Sequence, residues 1–343
     1  MRVLLADPPA YTPPYDHALA SALARAGAEV ELVTSRFRFG ATPEPEGYVR
    51  SELFYPLSSR VFRRSRLRLP VKALEHPFGL GRLAVRDCDV VHVQWLSSPE
   101  VDARLLRLGR PSVFTAHDIL PRRTAGKPEL WRRIWNRFDR VVVHSDRGRE
   151  ELARFGIDAR VIPHPVFPSD PPRAEDGHTV LFFGVLRSYR GLPDAIEAVR
   201  QVEGARLLVA GDPAMPLDPF RGEPGIEWRL GYLPEAEVDR VHGEATVAVF
   251  PYRPELDQSG ALLRALGAGV PAVVYDVGGL GEPVRRYGAG LVVKPGDVDG
   301  LAAALREVLA DPEPFREGAR RARAELTWDA AAAAHLALYE ELL

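Results

Sequence analysis

The sequence predicts an α/β protein built from two doubly wound, Rossmann-like domains. Three observations carry this expectation. Short Val/Leu-rich runs alternate with helical patterns along the chain, the rhythm of a parallel sheet covered by helices. The rhythm breaks once, at Pro163-His164-Pro165-Val166-Phe167-Pro168-Ser169-Asp170-Pro171-Pro172. Five prolines in ten residues cannot continue a helix or a central strand. Finally, 343 residues is the length of two ordinary domains.

The first domain is expected over 1–166 and a proline-rich linker over 167–178. A second domain follows over 179–326, and a last helical segment over 327–343. In the first domain, strands are expected at 3–6, 30–34, 90–95, 113–117 and 141–144. Several are unbroken apolar runs, as burial on both faces of a sheet requires. Helical patterns cover 16–26 and 147–155, and the second stops at Gly156, suited to the left-handed conformation that ends helices. In the second domain, strands are expected at 179–185, 205–210, 247–250, 272–275 and 291–293. Helical patterns lie between them at 193–202, 235–242, 259–268 and 298–309. Residues 328–343 read as an Ala/Leu-rich helix.

Composition narrows the function classes. Hydrophobic residues make up 46% and charged residues 27%, which argues against a disordered chain. Cys88 is the only cysteine, so an intrachain disulfide and a Cys-rich zinc site are excluded. A reducing cytosol fits this usage. Asp7 and the prolines after it cut the first apolar run too early for a signal peptide. No stretch reaches 18 uncharged apolar residues, so a cytoplasmic protein with at most peripheral membrane contact is expected.

Net charge is −2, which does not suit a nucleic-acid binder. That total hides an asymmetry. Residues 1–168 carry 27 basic and 19 acidic side chains, and residues 169–343 carry 18 and 28. The first half therefore holds +8 and the second −10. The basic half includes Arg60-Val61-Phe62-Arg63-Arg64-Ser65-Arg66-Leu67-Arg68-Leu69-Pro70-Val71-Lys72, six cations among apolar residues. One reading is a solvated face or ion-pair network. Another is an interfacial segment whose Arg63, Arg64, Arg66 and Arg68 face anionic lipid heads at the inner side of the cell membrane. Nucleic acid is the weaker third, because aromatic residues are sparse there.

Familiar motifs are missing. The first strand is followed by Asp7-Pro8-Pro9-Ala10-Tyr11-Thr12-Pro13-Pro14, with none of the glycines that let a dinucleotide pyrophosphate approach the backbone. There is no phosphate loop of the G-x-x-x-x-G-K-[ST] kind, no H-E-x-x-H and no G-x-S-x-G. Asp87-Cys88-Asp89 has the form of a D-x-D metal motif, but Asp89 opens an apolar strand and a strand-entry role is expected. No metal site is expected.

Four segments follow strands, where open α/β sheets bind ligands. His117 ends the strand Phe114-Thr115-Ala116-His117, with Asp118 beside it to orient the ring or meet a hydroxyl. Arg187 and Arg190 lie between Gly184 and Gly191, and planar guanidinium forks match phosphate oxygens. Next, Glu255 and Asp257 precede Ser259-Gly260-Ala261 at the start of a helix. Free N–H groups there suit an anion, and the carboxylates suit sugar hydroxyls. The fourth is the glycine turn Asp276-Val277-Gly278-Gly279-Leu280-Gly281-Glu282.

In order, these segments resemble the family-4 retaining glycosyltransferases of the GT-B fold. The likeness begins at Pro13-Pro14-Tyr15-Asp16 and Gly27-Ala28-Glu29-Val30, and continues through Asp89-Val90-Val91-His92-Val93 and Thr115-Ala116-His117-Asp118. It includes Val141-Val142-Val143-His144-Ser145, Val161-Ile162-Pro163-His164, Gly184…Arg190-Gly191 and the turn ending at Glu282. The resemblance implies two such domains facing each other across a cleft, with the last helix returning to the first domain. It implies a nucleotide-diphosphate sugar, UDP- or GDP-linked, as co-substrate, no other cofactor, and retaining hexosyl transfer without a bound metal.

The same resemblance distributes roles. Arg187 and Arg190 would grip the diphosphate, His117 would touch the transferred sugar, and Asp257 would complete the catalytic group. Gly184, Ser259, Gly260, Ala261, Glu255 and Glu282 would line the donor, with Gly231 and Tyr232 near the base. Tyr15 and Asp118 would face a glycan, lipid-linked or small-molecule acceptor in the first domain. Two positions depart from the family pattern. Its E-x7-E pair falls on Leu256 and Arg264, where only Glu255 or Asp257 can replace the first acid and Arg264 cannot accept a bond from a ribose hydroxyl. Its lysine is Arg190 here. Two alternatives remain at this level: a non-catalytic GT-B subunit that binds a nucleotide sugar or a partner, and a GT-B sugar-nucleotide epimerase.

Overall fold

The computed structural model describes residues 1–60, 68–253 and 258–343. Arg63, Arg64, Arg66, Glu255 and Asp257 therefore lie outside the described residues. The chain forms two compact units. One is Met1–Pro163 together with Trp328–Leu343, and the other is His164–Thr327.

In unit 1 the elements run β1 (Arg2–Asp7), α1 (Pro13–Arg25), β2 (Glu29–Ser35), β3 (Val49–Phe54), α2 (Pro56–Arg60), α3 (Arg68–Ala84), β4 (Val90–Val93), α4 (Pro99–Leu105), β5 (Ser112–Thr115), α5 (Pro128–Trp135), β6 (Arg140–Val143), α6 (Asp146–Ala153) and β7 (Ala159–Val161). In unit 2 they run β8 (Thr179–Phe183), α7 (Leu192–Arg200), β9 (Arg206–Gly211), β10 (Ile226–Leu230), α8 (Glu235–Glu244), β11 (Val247–Phe250), α9 (Gly260–Gly267), β12 (Ala272–Tyr275), α10 (Gly281–Tyr287), β13 (Gly290–Val293), α11 (Val298–Ala310) and α12 (Glu313–Glu325). The last helix, α13 (Trp328–Glu340), belongs to unit 1.

Among the described residues each unit has one all-parallel sheet. The orders are β3-β2-β1-β4-β5-β6-β7 and β10-β9-β8-β11-β12-β13. Each order reverses direction beside the first strand of its unit, the doubly wound pattern. Unit 2 illustrates why the apolar runs are continuous. Leu181, Leu208, Ala248 and Val274 enter a core with α8, α9, α10 and α12. Their neighbours Val180, Val209, Val249 and Val273 enter a second core with α7 and α11. Alternate residues thus point to opposite faces, and both faces are covered.

The expected α/β architecture is present, with some bounds corrected. The strands expected through residues 95, 117 and 185 end at Val93, Thr115 and Phe183. Gly184 leaves β8 at φ +118°, which turns the chain out of the ladder. Gln94, Trp95, Ala116 and His117 are consequently not strand residues; they sit just past the carboxyl edge of the sheet, where site residues belong. Gly156 follows α6 at φ +73°, as its position implied.

The final helix is fixed to unit 1 by polar and ring contacts. Arg25 Nη2 donates to Asp329 at 2.6 Å, and Tyr339 Oη lies 2.6 Å from His92 Nδ1. The Trp328 ring meets Tyr15 edge-on at 5.1 Å. Around the proline-rich segment, Val166 N donates to Leu326 O at 2.9 Å. The Phe167 backbone packs on Gly267, where any side chain would collide with it. Among the described residues no helix is long and apolar enough to cross a membrane.

Candidate active site

Unit 2 gathers positive charge past the ends of β8 and β11. Arg190 ends the short turn Ser188–Arg190, and Gly191 follows at φ +73°. Its Nη1 donates to Phe183 O at 3.1 Å and to Tyr252 Oη at 2.6 Å, with the guanidinium 5.0 Å over the Tyr252 ring. Gly184 is needed for this placement, because a side chain there would strike the Arg190 guanidinium. Tyr252 Oη lies 3.1 Å from Ser259 Oγ, and Ser259 caps α9 by accepting from Leu262 N. Burial pushes the Tyr252 hydroxyl up, opposed by the Arg190 charge, so it stays a neutral connector. One network therefore ties Arg190 to the N-terminus of α9.

The amides of Gly260 and Ala261 head that helix, where no intrahelical acceptor exists. Gly260 is exposed and Ala261 buried. The buried Arg190 Nε has no partner among the described residues. Arg187 is exposed, with no ion pair among them. The Arg190 guanidinium, two helix-end amides and the helix dipole can thus hold an anion, and Arg187 lies three residues before Arg190 in the same turn region. Gly231 leaves β10 at φ +126° and Tyr232 is exposed beside it. Glu282 opens α10 and is half-buried, while Asp276 pairs with Arg285 at 2.5 Å.

Unit 1 brings its predicted residues into a ring cluster. His117 is buried, stacked on Trp95 at 4.8 Å and met edge-on by Tyr15 at 4.8 Å. Both of its nitrogens are engaged: Nδ1 lies 3.1 Å from His144 Nε2 and Nε2 lies 3.0 Å from Gln94 Oε1. Gln94 Nε2 lies 3.2 Å from His92 Nε2, and His92 reaches Thr115 and Tyr339. Asp118 is half-buried next to this cluster. Beside α1 a cavity is lined by Asp16, His17, Thr34, Ser35, Tyr48 and Arg50 among others. Asp87 and Asp89 both bond Arg2, which places them at the start of β1. Among the described residues no group of three or more His, Cys, Asp or Glu is placed to hold a metal ion.

Sequence reading missed Gln94, Trp95 and Tyr252 as site residues. Their signal was position: Gln94 and Tyr252 each follow an apolar strand by one or two residues. Of the basic segment, Arg60 ends α2, and the residues from Arg68 onward form the start of α3.

Comparisons with known proteins agree with the fold. Residues 15–170 match the model of Glycosyltransferase Family 4, and residues 177–311 match that of Glycosyl transferases group 1. A glycogen synthase of Mycobacterium tuberculosis is 35% identical over 187 residues, 52% of this chain and 44% of that protein. A D-inositol 3-phosphate glycosyltransferase of Geodermatophilus obscurus is 29% identical over 310 residues, 74% of this chain and 67% of that one. The chain spans less than half the length of the glycogen synthase it matches. Among solved structures, sucrose-phosphate synthase from Thermosynechococcus elongatus superposes with a TM-score of 0.74 at 20% identity, covering 100% of this chain and 99% of that one. Anabaena HepE in complex with UDP-glucose superposes at 0.66 and 16% identity, covering 98% and 100%. These likenesses establish the GT-B fold.

Proposed function

From the premise that the chain belongs to the family-4 glycosyltransferases, we propose that it transfers a hexose from a nucleotide-diphosphate donor to a hydroxyl-bearing acceptor, with retention and without a metal ion. The observation that carries this reading is the Arg190–Tyr252–Ser259 network at the head of α9. When the bond from sugar to diphosphate breaks, negative charge grows on the leaving phosphate and positive charge on the sugar ring. Arg190 and the amides of Gly260 and Ala261 are held in place before that charge develops, and such preorganisation lowers the barrier, with the exposed Arg187 free to add its charge. Unit 2 thus takes the donor. Unit 1 takes the acceptor, where the cavity beside α1 offers hydroxyl, imidazole, carboxyl and guanidinium groups suited to a hydroxyl-rich molecule.

The test is incubation with a panel of UDP- and GDP-sugars, with and without glycan, lipid-linked and small-molecule acceptors. Acceptor-dependent release of nucleoside diphosphate, lost in Arg187→Ala and Arg190→Ala, supports the reading. Nucleotide-sugar binding with no turnover across the panel overturns it in favour of a non-catalytic subunit. Epimerised nucleotide sugar without release points to the epimerase reading.

A second feature supports a peripheral membrane location. On α3, His76, Gly79, Leu80 and Leu83 are buried, whereas Leu74 and Phe78 are 71% and 75% exposed; Val85, just past its end, is 79% exposed. Leu69 is also exposed, and Arg68, Arg82 and Arg86 flank the stripe. An apolar face ringed by cations is complementary to an anionic lipid surface. In this reading the contact lies on the exposed face of α3, which overlaps the end of the basic segment and continues beyond it.

A further inference from the structure

Arg264 stands where no acid is available, and the structure gives it a specific partner. It lies four residues beyond Gly260 on α9, about 6 Å along the axis from the end that faces the diphosphate site. Its Nη1 donates to Glu235 Oε2 at 2.8 Å and its Nη2 to Glu235 Oε1 at 3.0 Å. The guanidinium also lies 4.8 Å over the Phe167 ring. The Arg264 side chain is 20% exposed and the Glu235 side chain 69%. The cation is therefore packed backing, and the carboxylate is held in a fixed plane with its far side open.

The chemistry of that open side is limited. A bidentate guanidinium occupies two of the roughly four acceptor sites of a carboxylate. The rest point outward and accept from neutral donors. Arg264 has no such capacity: it only donates, and both ends of its fork are taken by Glu235. Three residues before Glu235 lies Tyr232, whose ring is exposed and whose hydroxyl feels both the Glu235 and the Arg264 charges. The surface thus offers an aromatic face and a fixed acceptor of two hydroxyl protons, one helical turn from the anion site. A ribose joins a diphosphate to a base over that order of length, and its 2′- and 3′-hydroxyls form a vicinal pair of donors.

We propose that Glu235, oriented by Arg264, receives the ribose hydroxyls of the donor nucleotide and makes the site selective for ribonucleotides. Arg264 is then a positioning residue acting through Glu235. The inference deepens the donor-site reading of unit 2 and rests on it.

Calorimetric titration of the full chain with UDP and GDP, with their 2′,3′-dideoxy forms, and with inorganic pyrophosphate tests it. The wild type is expected to prefer the ribonucleotide at least tenfold over the dideoxy form. In Glu235→Gln that preference falls to within twofold, while dideoxynucleotide and pyrophosphate affinities stay unchanged. Arg264→Met lowers the preference by a smaller factor, and Arg264→Lys restores part of it. Because Glu235 is exposed, Glu235→Gln should melt as the wild type does. A ribose preference that survives in Glu235→Gln, or a wild type that binds nucleotide without any preference, overturns the inference and leaves the diphosphate site standing. A wild type that binds neither pyrophosphate nor either nucleotide overturns both.

Discussion

His144 Nε2 lies 3.1 Å from His117 Nδ1, and His144 Nδ1 lies 2.9 Å from Ile162 O. A carbonyl only accepts, so His144 carries its proton on Nδ1 and receives one at Nε2. Burial holds His144 down at about 4, so it stays neutral at ordinary pH. His117 therefore keeps its Nδ1 proton, and its remaining freedom is at Nε2, against the Gln94 amide. With Gln94 Oε1 toward it, Nε2 donates and the ring is an imidazolium; with the amide turned over, Nε2 accepts and the ring is neutral. Gln94→Glu removes this choice by setting a carboxylate there. A carboxylate there favours the doubly protonated ring, so the pH profile of transfer is expected to move up. Proton titration of His117 followed by NMR checks the same point without relying on turnover.

Arg190 gives the second prediction. Arg190→Met removes the fixed charge from the head of α9 and is expected to lower kcat by about two to three orders of magnitude, roughly 3–4 kcal/mol. Tyr252→Phe keeps the charge but loses the hydrogen bond from Arg190 Nη1 together with the bridge to Ser259. A loss of about tenfold is expected, the worth of one hydrogen bond to a charged group. Gly184→Ala should resemble Arg190→Met more than Tyr252→Phe, since φ is +118° and the added atom occupies the guanidinium's place. Steady-state kinetics with saturating acceptor distinguish the three.

Arg190 also marks where sequence reading stops. Its type, its flanking glycines and its place after an apolar run are local, so its candidacy was legible. Its partner Tyr252 is 62 residues away, and only the parallel pairing of β8 and β11 brings them together. Glu235 and Arg264 are 29 residues apart and meet for the same kind of reason. The missed elements follow a pattern too. β3 reads Val-Arg-Ser-Glu-Leu-Phe and β10 reads Ile-Glu-Trp-Arg-Leu. Both are edge strands, half wetted and hence without the continuous apolar run that identifies the central ones. α12 escaped because its arginine and glutamate content hides the small residues Gly318, Ala319 and Ala322 that it buries.

Stability should peak near pH 6, because two sets of buried groups act in opposite senses. His144, His242 and His335 are held at about 4 by burial, against 6.5 when unfolded. The unfolded chain binds protons first, so this stability is complete above 6.5 and drains as pH falls toward 4. Asp7 and Asp16 are both fully buried; burial raises Asp7 to about 6 and Asp16 well above its usual value. Here the folded state binds protons more readily, so stability is complete below 3.8 and is lost as pH rises through about 6. His242→Leu is expected to flatten the acid side by about 2 kcal/mol at pH 5. Asp16→Asn should raise the melting temperature at pH 8, with the gain shrinking at pH 5. Melting curves from pH 4.5 to 8.5 read both slopes, and a wild-type Tm that does not vary over that range contradicts the assignment.

The exposed face of α3 supplies the last prediction. Leu74 and Phe78 are one turn apart on the same side and largely exposed, so replacing them with serine should leave the melting temperature unchanged. On an anionic bilayer each would bury apolar area, and full burial of such a side chain contributes about 1.5–3 kcal/mol. Leu74→Ser/Phe78→Ser is therefore expected to lower the fraction sedimenting with phosphatidylglycerol-containing vesicles at least tenfold. Neutralising Arg68 and Arg82 should act differently: binding at 0.05 M salt falls, while the residual binding at 0.5 M salt is unaffected. Pure phosphatidylcholine vesicles should bind weakly in every case. If wild type and the serine variant sediment alike, α3 does not meet lipid. If the wild type is instead a dimer in solution and the same two substitutions make it monomeric, the stripe is covered by a second copy of the chain.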